Sequence, residues 1–129
     1  LSFTLYILIH KCHNNMPHYV GSHTISFRWV DAVKRASKLT GIKLIIPSGT
    51  AVQNARTTSL NEIMTRDGFH LHKTYGRYVA ACVWLEKVLG VNPVGNPYRP
   101  EIMTLEQQRL AQLSAHKAVS RPWTVSKVK

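Results

Sequence analysis

The run "IKLIIP", residues 42–47, constrains the fold of this chain more than any other stretch. It is short, nearly continuous in apolar residues and rich in isoleucine, and it stops at Pro47. A run without polar alternation is typical of a strand buried on both faces, as in parallel sheets. In the preceding segment, residues 25–39, apolar residues at three- and four-residue spacings predict an amphipathic helix that Gly41 ends. A helix followed by a buried strand is half of an α/β repeat, so we expect an α/β fold.

Two further helices are predicted downstream. The segment "KTYGRYVAACVWLEKVLG" has Thr74 as its N-cap and Gly90 at its end, and Gly76 indicates close backbone packing near its start. A last helix begins at Thr104, which has the spacing of a capping box with Gln107. We expect the apolar stripes of these helices and of residues 25–39 to pack inward, including Leu39, Tyr78, Val79, Cys82, Leu85, Leu89, Leu105, Leu110 and Leu113.

The stretch between the strand and these helices, residues 48–66, is predicted to be a loop, with residues 48–50 as its exit turn. Open α/β sheets bind their ligands beyond the carboxyl ends of the strands. Gln53, Asn54 and Arg56 are therefore candidate substrate-side residues. Alternatively, these side chains satisfy backbone groups of the loop, and the sequence does not separate the two interpretations.

The net charge of +11 raises the possibility of a nucleic-acid partner. The 17 lysine and arginine residues are spread along the chain, however, and only Lys34 and Arg35 are adjacent. Basic and aromatic residues do not alternate as they do in proteins that bind single strands. We therefore expect a solvated basic surface and no nucleic-acid partner. A non-catalytic basic module that binds nucleic acid or another polyanion is the alternative function.

Residues 1–23 are predicted to be an irregular leader. They contain possible metal ligands, but the spacing fits no zinc pattern, so we expect no metal and no cofactor: His10, Cys12, His13, His18 and His23. The opening "LSFTLYILI" could be a buried strand, and it is about half the length that a membrane-spanning helix needs. It is also a poor signal peptide, so the sequence does not give the location of the protein.

The stretch "RDGFHLHK" places Asp67 and His70 three residues apart in one turn, with Gly68 supplying backbone freedom. A carboxylate that accepts the Nδ1 proton of a histidine fixes the ring and stabilises the imidazolium, so such a pair can activate a hydroxyl nucleophile. Taken alone, these residues favour a polar turn with a nearby surface histidine over a catalytic pair. His72 extends the pattern to His-x-His, a possible metal pair, but no third ligand lies nearby.

The wider segment "RDGFHLHKTYGRYVAACVWLEKVLG" resembles the last conserved block of SGNH-type (GDSL-like) hydrolases. "IIPSGTAVQNAR" and "TLEQQRLAQLSAHKAVSRPW" extend the resemblance, over residues 25–123, to an uncharacterised bacterial branch of that superfamily. The resemblance implies a three-layer α/β/α sandwich with a mainly parallel sheet, Asp67 as the triad acid and His70 as the general base. It also implies an ester substrate, plausibly an acylated carbohydrate, and an exported or periplasmic location for a full-length member.

The family's nucleophilic serine and its oxyanion-hole glycine and asparagine belong to earlier blocks that this sequence does not show. Gly21-Ser22-His23 is the nearest match to the serine block, but it lies in the leader. We therefore expect residues 24–123 to be the C-terminal part of the hydrolase domain and residues 124–129 a basic tail. The nucleophile would lie upstream of Leu1, and the chain alone would have little or no esterase activity. The oligomeric state stays open.

Overall fold

The computed structural model describes residues 6–7, 21–67 and 70–129, with side chains described from Val30 onward except at Glu62. This part of the chain is mixed and rich in helix. Its elements are β1 (Tyr6–Ile7), α1 (Gly21–Thr40), β2 (Ile45–Ile46), α2 (Ser48–Ala55), a 3-10 turn (Asn61–Ile63), α3 (Tyr75–Leu89) and α4 (Leu105–Ser120).

The two short strands pair in parallel. Tyr6 lies opposite Ile45 and Ile7 lies opposite Ile46. Ile46 is completely buried, as expected for a strand covered on both faces. The order α1, β2, α2 therefore gives the helix and buried strand that the isoleucine run predicted, although the ladder among the described residues is only two residues long.

The prediction of a loop over residues 48–66 is wrong for its first eight residues, because Ser48–Ala55 forms helix α2, whereas the remainder consists mainly of turns and the 3-10 turn. All eight residues of α2 are buried, and four of them carry polar side chains of the kind that loops usually expose, so its short sequence looks like a loop. Pro47 precedes the first turn, and its carbonyl oxygen accepts the first helical hydrogen bond, from Ala51 N at 3.0 Å. The expected exit turn, residues 48–50, is thus the first turn of a helix.

Helices α2, α3 and α4 pack against one another and form the core. Alanines supply much of the contact surface of α2 and α4, which lets the helix backbones approach closely. The fully buried core residues on the three helices include Ala51, Ala55, Val79, Val83, Ala111, Ala115 and Ala118. No helix in the described part of the chain is both long and apolar enough to cross a bilayer.

The helix ends have the capping residues that the sequence predicts, with one exception. Thr104 Oγ1 accepts from Gln107 N at 3.1 Å and Gln107 Oε1 accepts from Thr104 N at 2.8 Å, which confirms the capping box. Gly41 and Gly90 both have φ of 71°, as expected of glycines that end helices. Thr74 occupies the N-cap position of α3, but its side chain makes no capping hydrogen bond.

Three residues that were expected to pack inward are exposed: Leu39 by 87%, Leu89 by 69% and Leu105 by 72%. Each lies in the first or last turn of its helix. The middle of the stripes follows the prediction, because Tyr78, Val79 and Cys82 are buried.

A buried polar cluster fixes the connection between α3 and α4. The Nε2 atom of Gln112 donates to Tyr78 Oη at 3.0 Å and to Asn96 O at 2.9 Å, while its Oε1 accepts from Gly95 N at 3.0 Å. Tyr78 Oη donates in turn to Tyr98 O at 2.8 Å. Burial raises the pKa of the Tyr78 phenol, with a smaller lowering from its hydrogen bond to Gln112.

Candidate functional site

The turn that carries Asp67 and His70 closes a short antiparallel pairing. Thr65 and Leu71 form a bridge, and Arg66 N donates to His70 O at 3.0 Å on the loop side of it. In a regular ladder His70 N would return a bond to Arg66 O. Here His70 N donates instead to Asp67 Oδ1 at 2.6 Å, so the carboxylate takes the place of the carbonyl. Gly68, the proposed source of backbone freedom, lies outside the described residues.

The base of this turn is anchored in the core. Met64 is completely buried, and its carbonyl oxygen accepts from His72 N at 2.9 Å. Leu71 is partly buried against the core. Gly76, in the first turn of α3, has no room for a Cβ atom, which would overlap Met64 O and lie 3.1 Å from Leu71 Cβ. This contact confirms the close packing that the glycine indicated.

The structure brings the side chains of Asp67 and His70 together. Asp67 Oδ2 lies 2.6 Å from His70 Nδ1, while Oδ1 accepts from the His70 backbone. One carboxylate therefore holds both the main chain and the ring of the histidine. A proton on Nδ1 leaves the lone pair on Nε2, which is the tautomer that a general base requires. Side-chain exposure is 54% for His70 and 47% for Asp67, so the pair lies at the surface of the described chain.

His72 has a structural task that the sequence did not reveal. Its Nδ1 atom accepts from Thr74 N at 3.2 Å and from Tyr75 N at 3.4 Å, at the start of α3. These bonds replace the N-cap hydrogen bond expected from the Thr74 hydroxyl, because they satisfy backbone N–H groups that have no acceptor within the helix. The two histidines of the His-x-His pattern thus differ: Nδ1 of His70 faces an acceptor, and Nδ1 of His72 faces donors.

Metal binding finds no support among the residues whose positions are described. No group of three or more His, Cys, Asp or Glu side chains in those ranges could hold an ion. The leader residues considered for a metal site are beyond this statement, since His10, Cys12, His13 and His18 lie outside the described residues and the side chain of His23 is not described.

The three candidate substrate-side residues lie on or next to α2, not in a loop. Asn54 is completely buried; its Nδ2 donates to Ser114 O at 3.1 Å and its Oδ1 accepts from Ser126 N at 2.6 Å. Both partners are backbone groups, but they belong to α4 and to the C-terminal segment and not to residues 48–66. Gln53 is also buried, and Arg56 Nε donates to Asn61 Oδ1 at 3.3 Å. Asn54 therefore ties α2 to α4 and to the C-terminal segment.

A separate cavity of about 230 Å³ lies between α3 and the connection to α4. Its lining is mainly apolar and consists of Tyr78, Ala81, Cys82, Leu85, Pro93, Asn96 and Tyr98. Burial raises the pKa of the Cys82 thiol to about 11, so the thiol stays protonated at neutral pH and is a poor nucleophile.

Comparison with known proteins identifies the family. The family model described as a domain of unknown function, DUF4886, matches residues 10–118. The chain belongs to the DUF4886 family. The match begins within residues 1–23 and includes β2, α2, the Asp67–His70 turn, α3 and nearly all of α4. No curated protein matches the sequence.

A DUF4886 protein from Bacteroides uniformis ATCC 8492, solved as a crystal structure at 1.50 Å resolution, is similar to this chain in sequence and fold. The two are 47% identical, with a TM-score of 0.79 over 82% of this chain. The matched region is 41% of the solved chain, so this DUF4886 chain spans less than half the length of that relative.

Proposed function

We propose that this DUF4886 chain is the acid–base part of an SGNH-type serine hydrolase that cleaves esters. The observation that carries the proposal is the double contact of the Asp67 carboxylate with the backbone and ring of His70. In this proposal, the β1–β2 ladder belongs to the mainly parallel sheet of a three-layer α/β/α sandwich. The resemblance of residues 25–123 to SGNH hydrolases supplies the reaction class.

His70 would act first as base and then as acid. Its Nε2 atom takes the proton of a serine hydroxyl as the oxygen attacks the ester carbonyl, and it returns that proton to the departing alkoxide. A water molecule then repeats the proton transfer and releases the acid from the serine. Asp67 stabilises the imidazolium that exists between these transfers. The serine would come from the portion of the longer family chain that these residues do not span.

The surface position of the pair supports this role over a purely structural one. An exposed carboxylate–imidazole pair contributes only about 0–1 kcal/mol to folding. By contrast, the turn is fixed by buried groups on both sides, Met64 and Leu71 with Gly76. The scaffold therefore positions the pair, and the pair is not needed to hold the scaffold.

The test uses a chimera in which this chain replaces the matching segment of the Bacteroides uniformis protein. We expect hydrolysis of an aryl acetate that falls by about 10³-fold or more in His70→Ala and substantially in Asp67→Asn. The isolated chain, lacking a serine nucleophile, should show no hydrolysis that depends on His70.

His116→Ala is the matched control, because His116 also contacts a carboxylate, Glu86 Oε1 at 2.8 Å, but lies on α4. The esterase activity of the His116→Ala chimera should stay near that of the unaltered chimera. A folded chimera without esterase activity, or with activity that His70→Ala leaves intact, would contradict the proposal.

A further inference from the structure

Arg66 lies directly across the turn from His70. The bridge pairs Thr65 with Leu71, and the next opposed positions are Arg66 and His70, joined by the bond from Arg66 N to His70 O. Opposed residues of an antiparallel pair project to the same face, and successive residues alternate between faces. Arg66 and His70 therefore project to the same side of the turn. Both are exposed, which agrees with this arrangement.

The surroundings of Arg66 are basic. Lys73 and Arg77, on either side of the start of α3, are also exposed. Within the described ranges, none of these three cations takes part in an ion pair. Asp67, the neighbouring acid, has its carboxylate oriented onto His70. The exposed side of the turn therefore combines a candidate general base with a guanidinium that forms no ion pair within those ranges.

We propose that Arg66 determines substrate specificity by binding a carboxylate next to the ester bond on which His70 acts. This inference rests on the proposed hydrolase function. Opposed Cβ atoms lie about 4.5–5.5 Å apart, so the recognised charge is expected close to the ester, for example on the same sugar unit or acyl group. A guanidinium presents paired N–H donors that fit a carboxylate, which makes arginine suited to this recognition.

Binding is measured first, because it needs no nucleophile. The isolated chain is titrated with trigalacturonate, with free galacturonate and with neutral galactotriose, and the backbone amide shifts of the turn are followed by NMR. We expect the two carboxylates to shift the amides of Arg66 and His70 and galactotriose to leave them unchanged. Stronger binding of the trimer would indicate an acidic carbohydrate chain, and equal binding would indicate a small acidic ester.

Arg66→Gln should weaken carboxylate binding by roughly tenfold or more, since a charge-assisted hydrogen bond is lost. Arg66→Lys should retain part of the affinity. Arg35→Gln is the matched control: it removes the same charge from an exposed position on α1 and should change binding less than about twofold. If Arg66→Gln and Arg35→Gln weaken carboxylate binding equally, the attraction is to polyanions in general and the inference is overturned. The same conclusion would follow if a DNA oligomer bound equally well at Arg66 and at Arg35.

The chimera separates this inference from the proposed function. Arg66→Gln should raise KM for an acetylated galacturonate about tenfold and leave KM for a neutral aryl acetate unchanged. If His70→Ala abolishes hydrolysis but Arg66→Gln changes both substrates equally, the hydrolase function stands and the specificity role fails. If the chimera is inactive but Arg66-dependent binding persists, the carboxylate site stands and the hydrolase function fails.

Discussion

A Cβ atom on Gly76 would overlap the carbonyl oxygen of Met64. The same oxygen accepts the hydrogen bond from His72 N that closes the base of the Asp67–His70 turn. The first turn of α3 and the base of the turn therefore meet at one buried atom. The position of the candidate general base thus depends on a glycine several residues along the chain.

Gly76→Ala should destabilise the protein and displace the turn. Helix propensity favours alanine by about 1 kcal/mol, whereas overpacking costs about 1–3 kcal/mol. The obstructing atom belongs to the backbone and cannot rotate away, so we expect a net loss of about 1–2 kcal/mol in the free energy of unfolding. Urea denaturation measures this loss, and the amide shift of His70 reports the displacement.

Ala81→Gly provides the comparison for this substitution, because Ala81 is exposed on the same helix. It should cost about 1 kcal/mol through propensity alone and leave the His70 amide shift unchanged. A Gly76→Ala protein that gains stability would show that the helix and the turn can separate without cost.

The sequence predicted α3 and α4 well because local signals specify them. A capping box at Thr104 and a left-handed glycine at Gly90 depend on residues a few positions apart, which can be read along the chain. Helix α2 could not be predicted in this way. Every side of α2 is buried, and the helices that bury it, α3 and α4, come later in the sequence.

In the candidate site, too, contacts between residues close in sequence could be predicted and contacts between distant residues could not. The contact of Asp67 with His70 spans three residues and could be proposed from the motif alone. The capping role of His72 could not, because it depends on the orientation of Nδ1 toward the start of α3. The bonds of Asn54 join positions up to 72 residues apart, and nothing local in the sequence indicates them.

Asp67→Asn should change the tautomer of the His70 ring with little effect on stability. The carboxylate favours a proton on Nδ1, and an amide favours it less, so the neutral ring should shift toward the Nε2-protonated form. Long-range ¹⁵N–¹H spectra distinguish the two tautomers. Because the pair is about half exposed, the free energy of unfolding should change by less than about 1 kcal/mol.

Glu86→Gln makes the corresponding change at His116, whose Nδ1 contacts Glu86 Oε1. It should alter the His116 resonances and leave those of His70 in place. Unchanged His70 resonances in Asp67→Asn would argue that the carboxylate does not orient the ring in solution.

Asn54→Ala should be strongly destabilising. The substitution leaves Ser126 N without its acceptor, at about 1–3 kcal/mol for an unsatisfied group, and it also removes the buried bond to Ser114 O. We expect a total loss of about 2–4 kcal/mol, measured by urea denaturation. Asn92→Ala removes an amide that bonds only the nearby Val94 N at an exposed position, and it should cost less than about 1 kcal/mol. Comparable losses in the two variants would contradict the bridging role of Asn54.

Cys82 should make the protein less stable at alkaline pH. Burial raises the pKa of its thiol from 9.0 to about 11, against a smaller lowering by its hydrogen bond with Tyr78. Between these values the unfolded chain has lost the thiol proton and the folded chain retains it. The unfolded state then binds fewer protons, so stability falls as pH rises from about 9 to about 11 and is fully present below 9. The shift corresponds to about 2–3 kcal/mol.

Cys82→Ala removes this contribution together with the smaller effect of the thiol on Tyr78, whose pKa the neighbouring Cys82 also raises. The Tyr78 phenol, whose pKa is also raised by burial, is present in both proteins, and the cavity left by the smaller side chain destabilises the variant equally at all pH values. Urea denaturation of both proteins between pH 8 and pH 11.5 gives two stability curves. The wild-type curve should start higher and converge toward that of the variant as the pH rises. Parallel curves would show that the Cys82 thiol has the same proton affinity in the folded and unfolded chains, contrary to its burial beside Tyr78.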